Sequence, residues 1–499
     1  MQDSLLLLLL AIPLLVAAGL LRRAPPIKEM QARLAAAKWA LVRDFSTALR
    51  QNVVVADRAT AHRLLVRGGT GGTFCNRPPT SAASSVLSRQ RYHNIGSAPY
   101  GPLWRDIRRN LVSEVFHPSR LRHYAPTRRR ALRGLLADLR DQCTSSNGGG
   151  VVLAAESVHA ALFGLSAAMC FGDDVDAGHV RAMSDAMEGL TRALVGLSVF
   201  AALPALTELI YRKKWNNLVA LRRQQEELYL PLIEARRGHR PSGEPPAYVD
   251  TLIDLLVADD NCSASGGISA PKQNLTDGEF VGLCSEFLGA SAETAAAALQ
   301  WIMANLVKHL DVQEAVRREI DAVIGEDAEE VGEEDLGRLD YMHAVLMETL
   351  RLHPAVPSVA RMVIPEDHVV LDGRRVSAGT TVQFPLDRLA RDKTAWDDPD
   401  EFRPERFLAG RGGDGLSLVA AAGSGGEIRM MPFGAGRRKC PGMDMAMLHL
   451  GYFVANLVRE FEWTEAEGDM AVDLEAQVGF LSVMKRPLRA HLAPLRKTK

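Results

Sequence analysis

Cysteine is scarce and scattered in this chain. The six, at positions 75, 143, 170, 262, 284 and 440, form no C-x-x-C pair and no short secreted framework. That pattern excludes a disulfide-stapled scaffold and suits a reducing compartment. An excess of charge of one sign is also missing. With 59 basic and 60 acidic residues the formal charge is -1, which argues against a nucleic-acid binder held by bulk electrostatics. No segment repeats at a fixed period, so a solenoid is excluded. Neither Gly434-x-Gly436 nor Gly423-x-Gly425 opens a helix after a strand, and Gly68 to Gly72 lacks the G-K-S/T of a phosphate loop. Nicotinamide and flavin sites are therefore not evident, and electrons for any redox chemistry must come from another protein.

What is present is an ordinary globular composition, 47% hydrophobic and 24% charged, ample for a large core. One apolar stretch stands apart. Leu5 to Leu21 carries no charge, is preceded by Asp3 alone and is followed by Arg22, Arg23 and Lys28. Its length is at the short edge of what spans a bilayer. A cleaved signal peptide is the rival reading, but its first residues would be basic. Positive charge after the run predicts an uncleaved anchor over 1–23 with the body, 24–499, on the cytoplasmic side. Pro25-Pro26 is expected to stiffen the junction.

Helical spacing dominates the first two thirds. Leu132, Leu135, Leu136 and Leu139 recur at i, i+3, i+4 and i+7 and build one apolar face. A second long helix is predicted from Thr276, where Thr276 and Glu279 form a capping box, through Glu293 and Trp301 towards His309. It is apolar around much of its circumference, so it should be buried. Strands are expected at Val53 to Val55 and across His368 to Val376, where Asp372-Gly373 is a hairpin turn. Loops are expected over Arg237 to Pro246, Asp259 to Gln273 and Ala409 to Gly426.

The most specific stretch runs from Pro432 to Gly442, P-F-G-A-G-R-R-K-C-P-G, and fits F-x-x-G-x-R-x-C-x-G in full. Glycines let backbone approach a flat cofactor, and Pro441 suits the start of a helix beside the sulfur. A helix N-terminus with nearby Arg and Lys favours the thiolate of Cys440. This segment resembles the cysteine loop of a cytochrome P450. The resemblance implies a mainly α fold with a small β region, haem b held through Cys440, and contacts to that haem from Phe433, Arg438 and Gly442.

Further motifs of the same family follow in order from about Arg77. Glu348 and Arg351 match E-x-x-R, and Arg406 lies in a P-E-R-F segment that in the family completes a buried Glu-Arg-Arg network. Trp104 and Arg108 fit W-x-x-x-R and, with Arg361, are implied as propionate contacts. Gly289-Ala290-Ser291-Ala292-Glu293-Thr294 lies where the family carries A/G-G-x-D/E-T. Glu293 and Thr294 keep the acid and the alcohol that can relay the protons O–O cleavage consumes. The departure is Ser291, where glycine is usual; its hydroxyl is expected to bond back to a carbonyl in the preceding turn. Segments such as Glu286-Phe287-Leu288 resemble plant microsomal members.

The resemblance thus implies a monooxygenase that uses O2 and a small organic substrate, with an NADPH-cytochrome P450 reductase as partner and the endoplasmic reticulum membrane as its site. Arg105, Arg109, Arg437 and Lys439 are candidates for the docking face. A haem-thiolate isomerase or dehydratase, and a non-catalytic haem-binding protein, are the alternatives. Region 27–76 is short for the family's first helix and opening strand pair: either Phe45 to Leu49 rebuilds the first strand, or part of the sheet is lost. Substrate-facing residues are expected within 80–100, 190–209, 286–294 and 354–361 and around Phe480.

Overall fold

A computed structural model describes residues 52–68, 74–78, 94–145, 150–194, 200, 204–240, 246–258, 272–325, 328–410, 415–466 and 471–495. The segment 1–23, Phe45 to Leu49 and most of 80–100 lie outside the described residues. Nine helices of nine residues or more carry the described body. They are α1 (Pro102–Asn110), α2 (Ala125–Ser145), α3 (Ala154–Phe171), α4 (Ala177–Leu194), α5 (Arg212–Gly238), α6 (Asp277–Lys308), α7 (Leu310–Ile324), α8 (Asp340–Leu352) and α9 (Met443–Glu460).

The longest is α6, at 32 residues, and it runs through the middle of the main core. Its start is where the sequence puts it: Thr276 is the N-cap, and the Glu279 carboxylate accepts from the Thr276 backbone N at 2.6 Å and hydroxyl at 2.9 Å. The helix packs against α3, α5, α8 and α9, which explains why apolar residues surround it. On α2 the predicted leucine stripe turns inward, with Leu132, Leu135 and Leu139 almost fully buried. Among the described residues only α3 is long and apolar enough to cross a membrane, and it lies in the core between α2 and α6.

Short sheets flank the helices. In one, β1 (Asn52–Val54) pairs in parallel with β8 (Thr381–Pro385), which pairs antiparallel with β5 (Ser358–Met362). In another, β2 (Val151–Leu153), β12 (Arg489–Pro494) and β9 (Phe461–Thr464) are antiparallel. Two-stranded ladders join β3 (Leu256–Ala258) to β4 (Lys272–Asn274), β6 (Val370–Leu371) to β7 (Arg374–Arg375) and β10 (Ala476–Val478) to β11 (Ser482–Met484). The β6–β7 turn is the predicted one, with φ of 48° at Asp372 and 75° at Gly373. Two expected loops contain structure. Gln273 lies in β4, and Leu418–Ala421 forms a helical turn capped by Ser417, whose side chain accepts from Ala420 N.

A second apolar cluster beneath the first sheet joins Leu64 and Leu65 to Phe384, Met431 and Ala435. It fixes the cysteine loop against the N-terminal part of the described body.

Candidate haem site

The cysteine loop is a tight backbone device. Cys440 N donates to Phe433 O at 2.8 Å, and Gly434 N to Met431 O at 2.8 Å. Gly434 and Gly436 have φ of 71° and 69°, in the left-handed region that favours glycine. A Cβ on Gly436 would also lie 1.9 Å from Leu65 O, so the loop and the segment after β1 touch through bare backbone. Gly442 is the N-cap of α9, and Pro441 therefore stands just before the helix, not in its first turn. Burial raises the pKa of the Cys440 thiol above its ordinary value, against the lowering effects of the Gly442 N–H, Arg108, Arg77 and Lys439. Burial therefore outweighs the nearby positive charge, contrary to the expectation from sequence. A metal ion at the sulfur reverses that balance, since a coordinating thiol is deprotonated outright.

Around the cysteine the fold gathers guanidinium groups. Arg438 is buried and donates to three carbonyls: Cys75 O at 2.9 Å, Ile95 O at 3.1 Å and Ala98 O at 2.6 Å. Its guanidinium also lies 4.4 Å from the Trp104 ring centroid, and that of Arg108 5.3 Å from it. Trp104 Nε1 donates to Ile95 O at 3.0 Å, and Arg108 Nη2 to Lys439 O at 2.5 Å. Arg361, on β5, is 3% exposed and donates to the adjacent Ala360 O. Arg77 Nη1 donates to Gly96 O at 2.9 Å.

One carboxylate serves this group. Glu286, on α6, accepts from Ile95 N at 2.7 Å and Gly96 N at 2.6 Å. Burial raises its pKa, opposed by those two amides and by Arg77 and Arg438. Burial and the neighbouring cations Arg77 and Arg438 push Arg361 down to about 9. Burial, then Arg77, pushes Arg438 down to about 10. Arginine stays charged at neutral pH even so. Four guanidiniums, of Arg77, Arg108, Arg361 and Arg438, thus stand against the Glu286 carboxylate, which fits a cofactor edge bearing two carboxylates. Of the two thiols beside the cluster, Cys75 and Cys440, Cys440 is the one in the glycine-rich loop at a helix start, and there the residues fit haem.

On α6 the small residues Gly289 and Ala290 precede the acid and the alcohol. Ser291 Oγ donates to Phe287 O at 2.7 Å, the back-bond expected from sequence, and Thr294 Oγ1 donates to Ala290 O at 2.8 Å. Glu293 turns towards α3, where Oε1 lies 2.9 Å from His159 Nε2. Farther out, Glu348, Arg351 and Arg406 form the expected network. Arg351 Nε and Nη2 reach the two Glu348 oxygens at 2.7 and 2.8 Å, and Arg406 Nε reaches Glu348 Oε1 at 3.0 Å. Trp396 stacks beneath both arginines.

The family model for cytochrome P450 matches residues 40–492. The chain belongs to the cytochrome P450 family. It is 37% identical over 452 residues to Cytochrome P450 89A9 of Arabidopsis thaliana, covering 90% of this chain and 85% of that one. It is 28% identical over 451 residues to a flavonoid 3'-monooxygenase of Crocosmia x crocosmiiflora, covering 89% and 84%. A zebrafish cytochrome P450 solved with progesterone shares the fold, with a TM-score of 0.70 at 22% identity, covering 89% of this chain and 94% of that one. This P450 is thus a haem-thiolate monooxygenase with haem b as cofactor, acting with O2 on a small molecule, in the mainly α fold of its family. Sequence reasoning gave Arg77, Glu286 and His159 no chemical role. Glu286 carried a detectable signal, a charge in an apolar helix, whereas Arg77 stands among polar residues and prolines and His159 belongs to no motif.

Proposed function

We propose that the Cys440 thiolate would hold the haem iron and that Arg361, Arg438, Arg108 and Trp104 would hold its propionates. Phe433 and Gly442 complete the loop around the sulfur, and Thr294 with Glu293, on α6, would manage protons. The haem supplies dioxygen activation, which delivers one oxygen atom to the substrate and the other to water. The protein's residues do the rest. Ala290, exposed on α6, would leave room for the cofactor, Thr294 would hold a proton donor at its hydroxyl, and the Arg cluster would neutralise the carboxylates. The observation that carries this reading is the cluster of guanidiniums with more positive charge than Glu286 balances, brought by the fold to Cys440, where Arg108 and Arg77 bear on the thiol and Arg438 stands two residues before it.

Electrons come from an NADPH-cytochrome P450 reductase. Arg105, Arg109 and Arg437 are exposed close to the cysteine loop, and Tyr100 gathers two of them, with Arg105 5.7 Å and Arg437 5.6 Å from its ring centroid. A positive patch of this kind suits an acidic flavoprotein surface. The body, 24–499, works as one catalytic domain tied to the endoplasmic reticulum membrane through 1–23. Leu209 and Ile210, 61% and 62% exposed, support a further apolar contact with lipid. The substrate is a small organic molecule, and flavonoids head the screen because of the relative named for them.

The test is the carbon monoxide spectrum of the reduced protein, where thiolate ligation gives a strongly red-shifted Soret band. Cys440→Ala should abolish the band, and Cys284→Ala should keep it. A band that survives in Cys440→Ala overturns the ligand assignment. Deleting 1–23 should release much of the protein from membranes with the band intact; a full-length chain recovered entirely soluble refutes the anchor.

A further inference from the structure

The acid on α6 has a partner that no motif announces. His159, on α3, stands 2.9 Å from Glu293, with 26% of its side chain exposed against 16% for Glu293. Phe163, one turn along α3, stacks against the imidazole at 5.9 Å between centroids. From α4, Glu188 adds a second carboxylate field, itself 58% exposed and paired with Arg192 at 3.0 Å. Charged groups on the other elements packed against α3 are engaged elsewhere. On α2, Arg130 pairs with Asp173 and Arg140 with Glu460; on α5, Arg222 pairs with Glu226 and Arg236 with Asp250. The charged groups that bear on the imidazole are therefore carboxylates. The hydrogen bond to Glu293 raises its pKa, against burial, above the ordinary histidine value.

Glu293 and Thr294 are consecutive on a helix, so their side chains leave the axis about 100° apart. The hydroxyl can face the cofactor while the carboxylate faces α3. A carboxylate that hands a proton inward must be recharged from solvent, and one Glu293 oxygen is held by an imidazole more exposed than itself. Histidine suits that place because its two nitrogens can take a proton on one side and release it on the other.

We propose that His159 is the solvent-side member of the proton relay. A proton from water on the α3–α4 surface is taken by the imidazole and passed to Glu293 Oε1. Glu293 passes it on towards Thr294, and no electron moves and no heavy-atom bond forms in these steps. His159 is a positioning residue that acts through Glu293, and its role rests on the monooxygenase reading of Glu293 and Thr294.

The test uses the full-length protein with its reductase, NADPH and dioxygen alone, scoring the share of electrons recovered as hydrogen peroxide against pH. In the wild type that share should rise with pH as the imidazolium is lost. His159→Gln keeps a hydrogen bond to Glu293 but cannot titrate. It should show a flat profile, a peroxide share as high as the wild type's at alkaline pH, and NADPH-driven water formation reduced by up to about 10²-fold. A purely structural histidine would be replaced by glutamine without effect. Independently of turnover, NMR of labelled histidine in the reduced, carbon monoxide-bound protein should show His159 titrating above its usual range. In Glu293→Gln it should fall back. A wild-type pH profile in His159→Gln with the carbon monoxide band intact, or a His159 titration unmoved by Glu293→Gln, overturns the relay. Absence of the band in the wild type overturns the monooxygenase reading and the relay with it.

Discussion

Gly436 stands so close to Leu65 that a Cβ at that position would lie 1.9 Å from the leucine's carbonyl oxygen. A residue of the cysteine loop and one near the start of the described body thus meet with no side chain between them. Gly436→Ala should therefore do more than add about 1–2 kcal/mol of left-handed backbone strain. It should force the loop off Leu65 and sharply lower haem content, read as the absorbance ratio of the Soret band to protein. Gly410→Ala is the control, since its φ of 76° imposes similar strain with open space around it. Comparable haem loss in both variants would show that strain alone accounts for the effect.

Glu348 is fully buried with Arg351, and Arg406 is nearly so. Removing the negative partner leaves two guanidiniums without it. Glu348→Gln should cost about 3–5 kcal/mol, the range for breaking a buried ion pair from one side. Thermal unfolding followed by loss of the Soret band measures it, and a shift of only a degree or two would contradict the estimate.

Thr294→Ala should leave the carbon monoxide band in place and divert NADPH electrons to hydrogen peroxide, with product formation falling by up to about 10²-fold. Ser291 is no substitute: both hydroxyls bond back to a carbonyl of the preceding turn, but Ser291 is buried whereas Thr294 is half-buried and has space to turn. Adding Ser291→Ala should thus change the peroxide yield little beyond the single variant. A double variant that uncouples much further would place the serine hydroxyl in the relay.

His353 stacks on Trp301 with centroids 4.1 Å apart and planes 6° from parallel. Burial, with Arg391 and Arg351 nearby, pushes its pKa from 6.5 down to about 3. The unfolded chain binds this proton below about pH 6.5 and the folded chain does not until about 3. Stability is therefore full above the unfolded value and falls on acidification through that window, by up to about 1.4 kcal/mol per pH unit. His353→Phe keeps the ring and removes the proton site. Its melting temperature should fall less steeply between pH 6.5 and 5 than the wild type's, and equal slopes would reject the assignment.

Local rules were the most legible part of the fold. The cap at Thr276, the Asp372-Gly373 turn and the leucine face of α2 depend on residues within one or two turns of each other, and each stands where the sequence puts it. The Glu348, Arg351 and Arg406 network was legible through the family resemblance, since Arg406 stands 58 positions after Glu348. What escaped depends on distance along the chain. Gln273 reads as loop until β3 pairs with its strand, and His159 reads as an ordinary helix residue until Glu293, 134 positions later, is laid beside it. The protonation bias of Cys440 was misjudged for a related reason. Charges near a thiol can be read from neighbouring residues, whereas burial is a property of the finished fold.

The three carbonyls that Arg438 ties together belong to residues 340 or more positions earlier. During synthesis, then, the cradle cannot assemble until at least 340 residues beyond Ala98 have been made. Pairing at this range is slow, because loop closure must precede the contacts that reward it. Cys75, Ile95 and Ala98 therefore wait on the nascent chain for a partner not yet made, and capture of the iron-bearing ring must follow its arrival.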